Sequence, residues 1–158
     1  MKTKTLKTIK WLSVAILLLA TVFILFDLVS LANKLWLASE GNRIVWMPDH
    51  KAWQVFILAG RVVTDILLYV FLFCFLVKTD KAMKSGVIFP KANISVIRWA
   101  ALTTILSTFV QSNYQGVLEG DPVSVLESNT FIVPLFIFLF AGLYKMAYLS
   151  AKDSNLAI

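Results

Sequence analysis

Long apolar stretches alternate with short polar segments along the whole chain. The apolar stretches cover about residues 11–32, 52–77, 94–113 and 131–149. Each has on the order of 20 residues, and a helix of that length crosses the roughly 30 Å hydrocarbon core of a bilayer. The pattern therefore predicts an all-α fold, an integral membrane bundle of four transmembrane helices, built as a single domain over residues 1–158.

The composition agrees with membrane insertion. Hydrophobic residues make up 59% of the chain and charged residues 15%, whereas soluble domains are about half apolar and about a quarter charged. A single cysteine and a single histidine exclude an intrachain disulfide and a Cys/His zinc site. Because phosphate-binding, dinucleotide-binding and nucleophile motifs are also absent from the sequence, we expect no metal, no cofactor and no enzymatic activity.

The first apolar stretch follows the basic segment MKTKTLKTIK, as the core of a secretory signal peptide would. A signal peptide has an apolar core of about 7–15 residues, and this stretch is longer. We therefore expect the first stretch to be a retained transmembrane helix.

Positive charges are concentrated on one side of the predicted bundle. They precede the first stretch, separate the second from the third, and flank the end of the fourth: Lys2, Lys4, Lys7, Lys10, Lys78, Lys81, Lys84, Lys91, Lys145 and Lys152. In the 114–130 segment, all the charged residues are acidic. The positive-inside rule then places both termini and the central loop in the cytoplasm. We assign the net charge of +6 to topology and to contact with an anionic bilayer, and not to direct nucleic-acid binding.

Three charged residues interrupt the first two apolar stretches and form the charged cluster: Asp27, Arg61 and Asp65. Arg61 and Asp65 are four residues apart, so they share a helix face and can pair. Asp27 lies at a depth from which it can also meet Arg61, because the first two helices are antiparallel. Charges in lipid are costly, so the cluster faces protein. We favour a latch that fixes helix packing; an internal site for an ion, a proton or a small ligand is the alternative.

The third stretch has a row of hydroxyl and amide side chains, the polar stripe: Thr103, Thr104, Ser107, Thr108 and Gln111. Small polar side chains allow helices to approach closely and to hydrogen-bond. We favour a role in helix packing, and a path for a solute is the alternative.

The central segment SGVIFPKANISVIRWAALTTIL, residues 85–106, has Gly86, Ile88, Phe89 and Asn93 in the order G-x-I-F-x-x-x-N. It resembles the segment that opens the third span in the bacterial membrane family catalogued as domain of unknown function 2975. Members commonly end in an acidic E-x-D-L-T-I-like tail. The tail here is DSNLAI, in which Asp153, Leu156 and Ile158 match while Asn155 and Ala157 differ. The resemblance implies four spans in a bacterial cytoplasmic (inner) membrane.

Members of this family are often encoded beside a small helix-turn-helix regulator, so the resemblance implies such a protein as the partner. We therefore expect a non-enzymatic regulator or sensor that binds a cytoplasmic partner through a set of docking residues: Lys78, Lys81, Lys84, Lys91, Asp153, Leu156 and Ile158. For the lysines, a role in topology alone is the alternative. The alternative function is permeation of a small solute or ion, or a transporter accessory subunit, and the sequence leaves homo-oligomerisation open.

Overall fold

A computed structural model describes residues 2–37, 44–121, 123 and 131–153. The chain forms four α-helices: α1 (Lys2–Ala32), α2 (Lys51–Lys84), α3 (Ala92–Glu119) and α4 (Ile132–Asp153). A π-helical turn, Asn33–Leu37, continues α1, and a 3₁₀ turn, Pro48–His50, leads into α2. All four helices are long and apolar enough to cross a membrane. The prediction of an all-α bundle of four such helices is confirmed.

All four helices are longer than the apolar stretches from which they were predicted. The stretch 52–77 corresponds to a helix of 34 residues, and the stretch 94–113 to one of 28 residues. High hydropathy marks only the part of a helix that lies in lipid. The helix itself continues as long as its backbone hydrogen bonds can form. In α2 the extension contains good helix formers, and the Lys84 ammonium lies 2.7 Å from the Asp80 carboxylate one turn earlier.

Successive helices are antiparallel, so one end of the bundle contains the start of α1, the end of α2, the start of α3 and the end of α4. We name it the terminal end. The turn between α2 and α3 lies here and depends on Gly86, whose φ of 84° is in the left-handed region. Backbone bonds from Gly86 to Met83 and from Val87 to Ala82 close this turn.

The helix α3 lies at the centre of the packing, and α1 lies at its edge. The contact between α2 and α3 is the most extensive, that between α3 and α4 is second, and that between α1 and α2 is the smallest of the three. One apolar cluster, centred on Ile57, Val110 and Val117, lies away from the terminal end. A second, centred on Ile97, Ala141 and Tyr144, joins α3 to α4. The apolar window of α1 has no buried residue.

A buried glutamine attaches the segment that precedes α2 to the end of α3. The Gln54 side chain is 1% exposed. Its amide nitrogen donates to the carbonyls of Val45 at 2.7 Å and Val117 at 3.1 Å, and its amide oxygen accepts from the backbone N–H of Met47 at 2.9 Å. Three backbone groups that would otherwise be stranded in an apolar region are thus satisfied.

Two helical glycines give opposite expectations for substitution by alanine. A Cβ atom added to Gly60 of α2 would lie 3.1 Å from Val110 Cγ2 of α3, whereas one added to Gly142 of α4 would meet nothing within 4 Å. Val110 is fully buried and β-branched, so it has little freedom to move. We expect Gly60→Ala to lower the free energy of unfolding by about 1–3 kcal/mol.

The matched substitution Gly142→Ala should raise it by about 0.5–1 kcal/mol, because alanine loses less backbone entropy in a helix. Thermal unfolding in detergent micelles measures both effects. Equal effects of the two substitutions would contradict the close approach of α2 and α3 at Gly60.

Candidate functional site

The charged cluster brings α1 and α2 together. The Arg61 guanidinium of α2 donates a hydrogen bond of 2.8 Å to the Asp27 carboxylate of α1. The Arg61 side chain is 18% exposed and that of Asp27 is 45% exposed. A charge-assisted bond between these groups is stronger than a neutral hydrogen bond, and it removes the cost of an unpaired charge at this depth. The predicted meeting of Asp27 and Arg61 is present in the structure.

A tyrosine of α3 completes the environment of the arginine. The Arg61 guanidinium carbon lies 3.9 Å from the centre of the Tyr114 ring, within the range of a cation–π interaction. The ammonium of Lys34, in the π-helical turn after α1, lies 5.7 Å from the same ring centre. Arg61 therefore contacts α1 through its charge and α3 through an aromatic face. The hydrophobic pattern of the sequence gives Tyr114 no such role.

Asp65 does not pair with Arg61, although the spacing of the two residues along α2 would allow it. It is four residues from Arg61 on α2, yet Arg61 donates its hydrogen bond to Asp27. Within the described ranges Asp65 has neither a hydrogen bond nor an ion pair of its own. Asp65, Asp27 and Arg61 line one small cavity of about 10 Å³. That volume is about the minimum for a single water molecule, so the cluster encloses no space for a larger ligand.

A second polar contact links α1 and α2, nearer the terminal end than the charged cluster. The Thr21 hydroxyl of α1 donates to the Leu17 carbonyl at 2.8 Å, and its oxygen lies 3.2 Å from the Tyr69 hydroxyl of α2. Together with the Asp27–Arg61 bond, this contact attaches a helix that buries little apolar surface. The position of α1 therefore depends on a few polar groups more than on side-chain packing.

The polar stripe of α3 lies mostly against neighbouring helices. Thr104 and Ser107 are buried, Thr103 and Thr108 are partly buried, and Gln111 is exposed. The Thr104 hydroxyl donates to the Ala100 carbonyl, and the Thr108 hydroxyl to the Thr104 carbonyl, so both bonds stay within α3. Each of these two hydroxyls thus uses its one proton on the backbone of α3. The packing interpretation of the stripe stays a prediction.

The docking residues do not lie on one surface. Lys81 and Lys84 line a cleft between α1 and α2, the terminal cleft, which also contains Ile9, Lys10, Leu17 and Asp80 and has a volume of about 250 Å³. Lys91 lies in a separate groove between α3 and α4. Asp153 lies at the end of α4, and Lys78 is exposed on α2. Leu156 and Ile158 lie outside the described residues.

Asn93 joins three helices at the terminal end. It is fully buried, and its amide nitrogen donates to the Thr79 hydroxyl of α2 at 2.8 Å and the Tyr144 hydroxyl of α4 at 3.2 Å. The rings of Phe75 and Phe89 pack edge-on against Tyr144. In the sequence, Asn93 is one residue of the G-x-I-F-x-x-x-N pattern. In the structure, this buried amide has partners on two other helices and so contributes to their packing.

No family model, no curated protein and no solved structure matches the chain. The resemblance to domain of unknown function 2975 therefore stays a prediction. Among the described residues, no group of three or more His, Cys, Asp or Glu side chains is arranged to hold a metal ion.

The two aspartates of the charged cluster should differ in their effect on stability. Asp27→Leu leaves the Arg61 guanidinium without its carboxylate, so we expect a loss of about 1–3 kcal/mol in the free energy of unfolding. Asp65→Leu, the matched control on the same cavity, removes a carboxylate that has no bonded partner and should cause no loss. Thermal unfolding in detergent micelles compares the two variants.

The double variant Asp27→Leu/Arg61→Met should recover most of the loss, because it removes both members of the ion pair together. A loss from Asp65→Leu as large as that from Asp27→Leu would show that Arg61 is shared between the two carboxylates.

Proposed function

We propose that the protein is a non-enzymatic membrane regulator or sensor that binds a cytoplasmic protein in the terminal cleft. The observation that carries the proposal is the loose attachment of α1, which lies beside α2 with no buried residue in its apolar window. At the terminal end, a cleft of about 250 Å³ lies between the two helices. This opening lies where the positive-inside rule places the cytoplasm.

The chemistry of the cleft fits an acidic segment with an apolar side. Its walls include Ile9, Leu17 and Met83, which offer apolar surface. Lys84 is neutralised by Asp80 at 2.7 Å, whereas Lys10 and Lys81 have no ion pair in the described part of the chain. An apolar cleft bordered by free ammonium groups complements an amphipathic helix with carboxylates at its rim. By the family resemblance, the protein that supplies this helix is a small helix-turn-helix regulator.

The charged cluster is the element through which a signal would reach the cleft. The Asp27–Arg61 bond lies in the half of α1 away from the terminal end, and the cleft lies at the other half. If α1 tilts about this bond, the width of the cleft changes while the α2–α3 packing stays intact. The permeation alternative lacks comparable support, because the cluster encloses only about 10 Å³.

The orientation of the protein in the membrane is tested first. We expect both termini and the α2–α3 turn to face the cytoplasm of a bacterial inner membrane, because lysines are concentrated there. Alkaline phosphatase fused after residue 85 or after Ile158 should be inactive, and a fusion within the 114–130 segment should be active. Activity of the fusion after residue 85 would contradict this orientation.

Binding in the terminal cleft is tested by photo-crosslinking in cells. A photoreactive amino acid at Met83, inside the cleft, should capture one cytoplasmic protein. Exposed charge pairs are worth up to about 1 kcal/mol each, so Lys10→Gln/Lys81→Gln should weaken this binding by up to roughly thirtyfold. In wild-type membranes, capture of the partner at Met83 should weaken as the salt concentration rises, because ions screen exposed charges.

The control variant is Lys7→Gln/Lys78→Gln. It changes the same two helices and the same net charge, but neither residue lines the cleft. It should leave capture at Met83 unchanged. Equal losses in the two variants would show that the overall charge of this face attracts the partner, and the cleft would not be its binding site.

A further inference from the structure

We propose that the groove between α3 and α4 at the terminal end binds the headgroup of an anionic phospholipid. The groove has a volume of about 510 Å³ and contains Lys91, Ser95, Arg98, Trp99, Leu102 and Lys145. It is separate from the terminal cleft, with which it has no lining residue in common. The proposal is independent of the regulator function proposed above.

The charge of the groove is unbalanced. Three of its lining residues are cationic, and none is acidic. Lys91, Arg98 and Lys145 make no ion pair with any described residue. The α4 acidic residue, Asp153, is eight positions beyond Lys145, or about 12 Å along the helix. Three cations that converge on one opening without a carboxylate favour an anionic ligand with phosphate-type oxygens.

The polarity of the groove changes along its length. Lys91 precedes α3, Arg98 lies two turns into it, and Leu102 one turn further. The groove thus runs for about 16 Å along the helix, from Lys91 at the end nearer water, past Arg98 beside Trp99, to Leu102 at its deep end. Trp99 and Leu102, 58% and 46% exposed, form its deeper part. This gradient matches a phospholipid, whose phosphate lies at the interface and whose acyl chains extend inward.

The same gradient favours a lipid over other anions. A free phosphate ion or an acidic peptide would approach from water and would make no use of the exposed Trp99 and Leu102. Arginine and lysine near the end of a transmembrane helix extend toward the headgroup region, and tryptophan prefers that region. Basic pockets between transmembrane helices are an established way to hold anionic headgroups.

Native mass spectrometry of the full chain, released from detergent micelles, provides the test. The protein is titrated with phosphatidylglycerol or with phosphatidylcholine that has the same acyl chains. We expect phosphatidylglycerol to bind at least about tenfold more tightly, since each basic residue near the headgroup contributes measurably. Arg98→Gln/Lys145→Gln should reduce its affinity to that of phosphatidylcholine.

Two further variants separate a groove from a general attraction of charge. Lys7→Gln/Lys152→Gln removes the same net charge outside the groove and should leave the affinity within about threefold of wild type. Ser95→Trp keeps all three cations but fills the groove, so it should weaken phosphatidylglycerol binding. Circular dichroism confirms that each variant retains its helices.

Four results would overturn the proposal. Equal affinity for the two lipids would exclude selection of an anionic headgroup. Unchanged binding by Ser95→Trp, or an equal loss in the Lys7→Gln/Lys152→Gln control, would mean that diffuse charge alone attracts the lipid. Displacement of the lipid by an excess of inorganic phosphate would identify a site for free anions.

Discussion

An arginine within an apolar helix must find its partners in the protein, because lipid offers none. Arg61 meets this constraint with a carboxylate from α1 and an aromatic ring from α3. One side chain of α2 therefore touches both neighbouring helices. Rotation of any of the three helices about its axis would remove Asp27 or Tyr114 from the guanidinium and strand a charge. The interaction thus restricts the rotational register of α1, α2 and α3, although it buries little surface.

The elements of the fold were predictable from the sequence, and most of their mutual contacts were not. Four apolar stretches indicate four helices, and the depth of Asp27 suggests its meeting with Arg61. Spacing along one helix offered Asp65 as an equal partner, because sequence alone cannot show how neighbouring helices are rotated. Gln54, Asn93 and Tyr114 were missed for the same reason. For each of them, the packing role arises only when another helix supplies the carbonyl, hydroxyl or cation.

The helix α1 differs from the other three in how it is held. Between α2 and α3, a glycine against a buried valine and several apolar residues produce close packing. The helix α1 has instead one ion pair and one hydroxyl contact with α2, and most of its large apolar side chains are exposed. Apolar packing changes little when a single charge is neutralised, whereas an attachment by polar groups can weaken greatly. The position of α1 therefore depends on the Asp27–Arg61 ion pair and the Thr21–Tyr69 contact.

The two openings at the terminal end lie on different pairs of helices. The terminal cleft is between α1 and α2, and the basic groove is between α3 and α4. Between them lies the node at Asn93, which bonds α2 and α4 and fixes their spacing to α3. Movement of α1 can therefore change the cleft without deforming the groove. An anionic lipid bound in the groove would hold α3 and α4 at a constant depth in the membrane, and α1 would move relative to that fixed pair.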